Sequence, residues 1–339
     1  SYTCNYCIER VSDRGDKEGI MALIFTLFTI FFTPVSSVQE RGALIMFWNV
    51  ENFFDTRRDF TILDEEFLPQ GEKRWSRRRF EQKRDAIAKT IISIESKYGD
   101  YPDLVGLAEV ENSYVLRQIT EKSPLNPLGY NYIHSDSGDP RGIDVALIYR
   151  ENRVKVLKSS FIKPILGGDT LRSRDILYAK LSLSRGDTIN LFVVHLPSKY
   201  SGRQLSMEKR ELCVKVLRHY SDSIIELGEK VVIVGDFNDL PSEIETLFSD
   251  DNCNYNNHFK EYQLFENGAK GSVKFMNSWQ IIDQVITSRN CQGRAKIYAP
   301  KFLLEHDTKY LGVKPFRTYS GPRHIGGVSD HLPILFQLE

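Results

Sequence analysis

The residues best suited to chemistry in this chain are carboxylates, amides and imidazoles that border apolar runs. Val231-Val232-Ile233-Val234-Gly235 leads into Asp236 and, two positions on, Asn238. The β-branched run reads as a buried strand, and side chains at i and i+2 share a face while the backbone stays extended. Other runs end in the same manner. Asn49 follows Ala43–Trp48, Glu109 follows Asp103–Ala108, His195 closes Thr188–His195, and Asp330-His331 precedes Ile334–Leu338. Asp283 interrupts Ile281-Ile282-Asp283-Gln284-Val285-Ile286, and a carboxylate inside an apolar strand is costly unless it is paired or binds a metal. A cap, a turn or a buried hydrogen bond explains any one of these, but not all of them together. Oxygen and amide donors without a cysteine among them suit a hard divalent cation, magnesium or manganese, and not zinc.

The elements that must position these groups can be read from periodicity. Lys73–Tyr98 is expected to be a long helix with an apolar stripe of Ile87, Ile91, Ile92 and Ile94, closed by Gly99. A second long helix is expected over Gln204–Leu227, closed by Gly228. Strands are expected at Tyr130–His134 and Ile143–Tyr149, around the turn-rich loop 135–142, and at Lys155–Ile162, Leu177–Leu183, Trp279–Thr287 and Arg294–Phe302. Strands alternating with a few long helices imply one mixed-sheet α/β domain with two packed sheets, from about residue 42 to 339. With 339 residues and 41% apolar content, the chain can bury a core of that size. Formal net charge is zero, so no global field draws it to nucleic acid. Lys73, Arg74, Arg77, Arg78, Arg79, Lys83, Arg84 and Lys89 crowd one segment, and the expectation there is a solvated helix face. The five cysteines include one C-x-x-C, Cys4 and Cys7, without a second pair or nearby histidines. They allow one disulfide but no disulfide framework.

Met21–Phe32 has the length of a signal-peptide apolar core, and Thr33-Pro34-Val35-Ser36-Ser37-Val38 supplies small residues suited to cleavage. Residues 21–37 are therefore expected to be a secretory signal, with 1–20 an uncertain leader or a mis-called start. The expected location is secreted or periplasmic, with an uncleaved membrane anchor as the alternative.

Taken in order, Trp48-Asn49-Val50-Glu51-Asn52, Leu107-Ala108-Glu109-Val110, Gly142-Ile143-Asp144-Val145-Ala146-Leu147, Val194-His195-Leu196-Pro197, Gly235-Asp236-Phe237-Asn238, Ile282-Asp283 and Ser329-Asp330-His331-Leu332-Pro333 resemble the endonuclease/exonuclease/phosphatase superfamily. That superfamily includes pancreatic-type deoxyribonuclease, exonuclease III-type repair nucleases, neutral sphingomyelinases and inositol polyphosphate 5-phosphatases. The match runs from about Leu44 to Leu338. The resemblance implies a four-layer sandwich, two packed mixed β-sheets flanked by helices, and a phosphodiester hydrolase dependent on Mg2+ or Mn2+. It implies Glu109 as the principal metal ligand, with Asn49, Asp330 and Glu51 in the same cluster. Asp236 would orient or deprotonate the attacking water, and Asn238 would hold the phosphate or the nucleophile. His331 would serve the phosphate oxygens, with Asp283 fixing its tautomer. His195 would be a second phosphate-facing histidine with Asp144 as its acidic partner.

Two departures bear on substrate. Glu111 stands where pancreatic-type deoxyribonuclease has a DNA-contacting arginine, and Ile282-Asp283-Gln284 lacks the 5-phosphatase Cys-Asp-Arg run. Arg141, Arg172, Arg174 and Arg323 lie in loops expected near the site and could bind a substrate phosphate. A secreted nuclease acting on DNA or RNA leads. A sphingomyelinase-like or inositol-phosphate-type phosphoesterase is the alternative, with a lipid headgroup as substrate. Trp75 and the pair Phe53-Phe54 are candidates to wedge into a bilayer. No obligate protein partner is implied.

Overall fold

In the computed structural model, which describes residues 42–166, 169–199, 203–249, 254–260 and 265–339, the run before Asp236 is a strand that divides two cores. Val232 and Val234 face one cluster of buried side chains, Val231 and Ile233 the other. This is the two-residue alternation of extended backbone, with both faces apolar because both are covered. The expected signal segment 21–37, the leader, Cys4, Cys7 and Cys253 lie outside the described residues.

In chain order the elements that build the site are strand β1 (Leu44–Phe53), helix α1 (Arg77–Ser93), β2 (Leu104–Val110), α2 (Ser113–Glu121), β3 (Tyr130–His134), β4 (Asp144–Arg150), β5 (Val154–Ile162), β6 (Ile176–Leu183) and β7 (Thr188–His195). Then come α3 (Arg203–Glu226), β8 (Lys230–Asp236), α4 (Pro241–Phe248), β9 (Tyr255–Asn257), β10 (Val273–Phe275), β11 (Ser278–Gln280), β12 (Asp283–Ser288), β13 (Gly293–Ile297) and β16, which follows two short strands, β14 (Leu304–His306) and β15 (Val313–Pro315), and spans Ile334–Leu338.

Two six-stranded sheets carry the fold, one in the order β13-β16-β1-β2-β4-β3 and the other β9-β12-β8-β7-β6-β5. Each is mixed and has one parallel pair at its centre, β1 with β2 and β7 with β8. The sheets pack face to face through an apolar layer that includes Phe47, Val193 and Val234. Apolar side chains of α1 and α2, among them Ile87, Ile91 and Ile119, belong to that same cluster. Val214 and Leu217 of α3 and Ile244 of α4 pack with Phe192, Val231 and Ile233 in the second cluster, on the outer face of the second sheet. The architecture is thus an α/β sandwich of two packed mixed sheets flanked by helices.

Some boundaries differ from the sequence expectation for local reasons. The first long helix begins at Arg77, not Lys73. Arg74 takes a positive φ of 47°, and the Trp75 backbone N–H and indole N–H bond Leu68 and Phe54 carbonyls, which holds this stretch off the helix. The helix also ends at Ser93, and a separate turn, Glu95–Tyr98, carries the chain to Gly99 in the left-handed region. The stretch expected as one strand over 279–287 is two, because Ile281-Ile282 breaks the ladder between β11 and β12.

Candidate active site

The two parallel pairs aim their C-terminal ends at one place. Asn49 and Glu109 stand at the ends of β1 and β2, and His195 and Asp236 lie directly opposite each other at the ends of β7 and β8. Asp283, the first residue of β12, is the ladder partner of Asp236 on its other side. Carboxyl ends of parallel strands are where α/β sheets place ligands. The last loop closes the group from above. Ser329 Oγ donates to the Asn49 carbonyl at 2.6 Å, and the Trp48 indole N–H donates to the His331 carbonyl at 2.9 Å. The close approach at β8 demands Gly235, where an added Cβ would sit 2.3 Å from the Val194 side chain.

The backbone is bent hard at these ends. Glu51, Asn52, Glu109 and Asn238 all have φ between 50° and 62°. They are four of the eight non-glycine residues with positive φ among the described residues. The β1–β2 register slips between Asn49 and Phe53, which is where Glu51 and Asn52 turn. Strain of this kind costs about 1–3 kcal/mol per residue and gathers where side chains must be aimed.

On the first sheet's side the groups are oxygen donors linked by amides. Asn49 Nδ2 donates to Glu109 Oε1 at 3.2 Å and to Asp236 Oδ2 at 3.1 Å, so one side chain ties the two sheets together. The Asn52 backbone N–H holds Glu109 Oε2 at 2.7 Å, and Asn49 Oδ1 accepts from the Glu51 N–H at 3.0 Å. Glu51 is buried, and its Oε2 accepts from the Thr318 N–H at 2.7 Å. Burial, and then the charge of Asp330, push its carboxyl up to about 7 against the pull of Lys83 and Arg317. Arg317 lies between two acids, 2.8 Å from Asp330 Oδ2 and 3.6 Å from Glu51 Oε1.

On the second sheet's side the groups are imidazoles and carboxylates. Asp236, fully buried, accepts from the Asn238 N–H at 2.9 Å in addition to Asn49. Burial and the charge of Asp283 push its carboxyl up to about 7, while His331 and the two hydrogen bonds draw it down. Its Oδ2 is 3.6 Å from His195 Nε2 and 3.8 Å from His331 Nε2. His331 Nδ1 is 2.8 Å from Asp283 Oδ2. Burial opposes a charge on this imidazole, but Asp283, with Asp236 and Asp330 adding to it, holds its pKa well above the ordinary value. His195 is the reverse case. Burial, then the charges of Arg174, Arg141 and His331, push it well below the ordinary value, and its Nδ1 has no hydrogen-bond partner. Asn238 Nδ2 donates to the Leu196 carbonyl at 2.9 Å.

Several sequence expectations need correction. Asp144 does not meet His195. Its Oδ2 lies 3.4 Å from His134 Nε2 and its Oδ1 accepts from the Ser137 N–H at 3.1 Å, because His134 ends the strand paired with β4. Arg174 is no free phosphate ligand. It is buried, and its nitrogens donate to the carbonyls of His195 and Leu196 and to Asp139 Oδ2, which fixes the strand end that carries His195. Arg141 is half-exposed and clasps Asp139 with both nitrogens at 3.3 Å. Arg172 is exposed and, with Arg141, lines a cavity of about 530 Å3 beside Pro197 and Ser198. Arg323 is exposed on the hairpin of Tyr319–Ser320 and Arg323–His324, and Arg317 is the arginine at the acidic cluster. Glu111 is buried against the Asp55 N–H, and burial pushes its carboxyl up to about 8. Trp75, Phe53 and Phe54 are core residues and cannot enter a bilayer.

Lys83 was the residue hidden in the basic run. It is buried, not solvated; its Nζ donates to the Glu51 carbonyl and, at 2.8 Å, to Thr318 Oγ1. Burial pushes it down to about 8, while Glu51, Glu109 and Asp330 support its charge. The only sequence signal was its place one turn before Ile87 on the apolar stripe of α1.

With strands, site and order of motifs established, the class is defined. The chain matches the model of the Endonuclease/Exonuclease/phosphatase family over residues 44–339 and belongs to that family. No curated protein matches it. Among solved structures it is similar to the catalytic domain of human Nocturnin with bound sulfate (16% identity, 88% of this chain and 95% of that one, TM-score 0.53). It is similar to D. rerio TDP2 complexed with a single-strand DNA product (20% identity, 88% and 99%, TM-score 0.52). It is also similar to a Bacteroides thetaiotaomicron mannosyl-6-phosphatase (15% identity, 88% and 100%, TM-score 0.54). At these identities the likeness is one of fold. The chain is therefore a hydrolase-type phosphoesterase by family, with acidic groups that could hold a divalent metal.

Proposed function

We propose that the chain is a divalent-metal-dependent phosphodiester hydrolase that cleaves nucleic acid, DNA or RNA, by in-line attack of an activated water. The observation that carries this reading is the buried Asp236 placed within 4 Å of two imidazoles of opposite character. Glu109, with Asn49, Asp330 and Glu51 beside it, would hold magnesium or manganese. The donors fit: they are hard oxygens, and Glu51 is pushed up by burial and by Asp330, as expected where carboxylates outnumber the cations among them. Such an ion, when bound, offsets the charge of the phosphodiester and stabilises the leaving oxygen.

The protein's own groups account for the rest. Asp236 orients the water and takes its proton, as a group titrating near neutrality can. The water oxygen bonds to phosphorus while the ester oxygen opposite departs. His331, cationic through Asp283, donates to a non-bridging phosphate oxygen, and neutral His195 donates a hydrogen bond alongside it. Asn238 holds the phosphate or the water. The likeness to a DNA-complexed TDP2 supports nucleic acid as the substrate class. Phosphomonoester hydrolysis is a second reading, supported by the likeness to a mannosyl-6-phosphatase and by Arg141 and Arg172 along the adjoining cavity.

The test is a hydrolysis panel with purified protein: single- and double-stranded DNA, RNA, sugar and inositol phosphates, and sphingomyelin. Cleavage of a nucleic acid, abolished by a chelator and restored by magnesium or manganese, is expected. Full activity in excess chelator would end the metal-dependent reading, and turnover confined to monoesters would favour the second. We further propose that residues 21–37 direct export and are removed. N-terminal sequencing of exported protein should begin near Val38, and an intact Met21 on a membrane-bound product would favour an anchor.

A further inference from the structure

A second cluster of metal-ligating side chains, which shares no member with the group around Asp236, lies at the turn between β3 and β4. His134 ends β3, Asp144 opens β4, and Asp136 lies in the loop that joins them. One ligand atom from each lies within 4.8 Å of the others. The His134 side chain is only 1% exposed, and its Nε2 has no hydrogen-bond partner although it points at Asp144 Oδ2, 3.4 Å away. A simple histidine–aspartate hydrogen bond would close that gap. Nearby, buried Asp175 has an oxygen without a partner and feels the charge of Asp144.

We infer that His134, Asp144 and Asp136 form a second cation site, built for zinc and separate from the catalytic centre. Two ligands bound tetrahedrally at about 2.0–2.1 Å lie about 3.3 Å apart, close to the 3.4 Å between His134 Nε2 and Asp144 Oδ2. The other ring nitrogen is already oriented. His134 Nδ1 is 3.4 Å from Ser113 Oγ at the start of α2, an outer contact of the kind that fixes the tautomer of a ligating histidine. The Ser137 N–H holds Asp144 Oδ1, which leaves Oδ2 turned to the imidazole. That same fold-back of the loop brings Asp136 Oδ1 to 4.0 Å from the other ring nitrogen, Nδ1, and within the 4.8 Å that spans the three ligand atoms. Asp136 is 83% exposed and can swing in as the third ligand, with water as the fourth. An imidazole in the set favours zinc over magnesium, the opposite of the preference at Glu109.

The site would pin the 135–143 loop to the β3–β4 pair. That loop carries Asp139, the residue clasped by Arg141 and Arg174. Zinc would thereby brace the arginine that holds the His195 strand end.

The test is equilibrium titration of the purified protein with Zn2+ against a chromophoric chelator, with millimolar Mg2+ present throughout. One zinc per chain should bind in wild type and in Glu109→Ala. His134→Gln and Asp136→Ala should each weaken it at least about tenfold. Asp136 is exposed, so its variant stays folded and keeps the test decisive if His134→Gln does not fold. Zinc should also shift the His134 imidazole nitrogen resonances in wild type. Zinc affinity unchanged in His134→Gln or Asp136→Ala, or zinc binding lost in Glu109→Ala, would overturn the assignment and leave His134–Asp144 a plain buried pair.

Discussion

At the ends of β1 and β2 the site offers Asn49, Glu51 and Glu109, with Lys83 and Arg317 among them. At the ends of β7, β8 and β12 it offers His195, Asp236 and Asp283, reached by His331 from the last loop. Both halves are made by the same device, a parallel strand pair ending in a sharp bend, yet they differ in the groups they present. The first half is built of oxygen donors and cations without an imidazole, and its titrating pair, Glu51 pushed up to about 7 and Lys83 pushed down to about 8, oppose each other. The second half holds groups whose protonation is poised near neutrality or pushed to opposite sides of it. On the proposed function this becomes a division of labour: one sheet would bind a cation and an anion, the other would hold and move a proton.

That division can be broken most severely at Glu109. Glu109→Ala should lower turnover about a thousandfold or more while the fold survives, and the magnesium concentration needed for half-activity should rise. An unchanged magnesium titration would show that the first half is not the metal-binding half. Next in size is the imidazole of the second half: His331→Ala should cost about a hundredfold at every pH.

Asp283→Asn should be more selective. An imidazole held above its ordinary pKa is protonated at neutral pH and loses its proton only as pH rises through the raised value. Without the Asp283 charge that value falls, so the alkaline limb of the rate profile should move to lower pH, with the acid side little changed. A profile that overlays wild type would reduce Asp283 to a structural acceptor. The smallest effect is expected at His195. It is already neutral, so His195→Asn should lower the rate about tenfold through a lost hydrogen bond and move neither limb. A shift of the alkaline limb in that variant would erase the contrast between the two histidines.

Much of this arrangement was legible because strand ends announce themselves: an apolar β-branched run that stops at Asp236 or Glu109 has to put a polar group somewhere. The packing of two sheets followed from the alternation of such strands with few helices. What could not be read was whatever depends on distant parts of the chain. Lys83 looked like one of many surface cations, and the approach of the Glu51 carbonyl and of Thr318, both distant in sequence, gives it buried partners. Arg174 looked free because the carbonyls it binds, at His195 and Leu196, belong to another strand end. Asp144 was assigned to His195 through resemblance, whereas the adjacent strand supplies His134 first. The extent of β1 was masked by its bulge, since Glu51 and Asn52 leave the ladder and Phe53 rejoins it.

The left-handed backbone at Glu51, Asn52, Glu109 and Asn238 has a consequence for anyone who ranks sequences of this protein by robustness. Glycine relieves such a conformation at once, so Asn238→Gly or Glu109→Gly would rank among the most promising changes in a screen for heat resistance. Each would delete a side chain on which the proposed mechanism relies. Selection on survival of the fold alone would therefore drift toward inert proteins, and a screen on this scaffold has to read turnover and melting together.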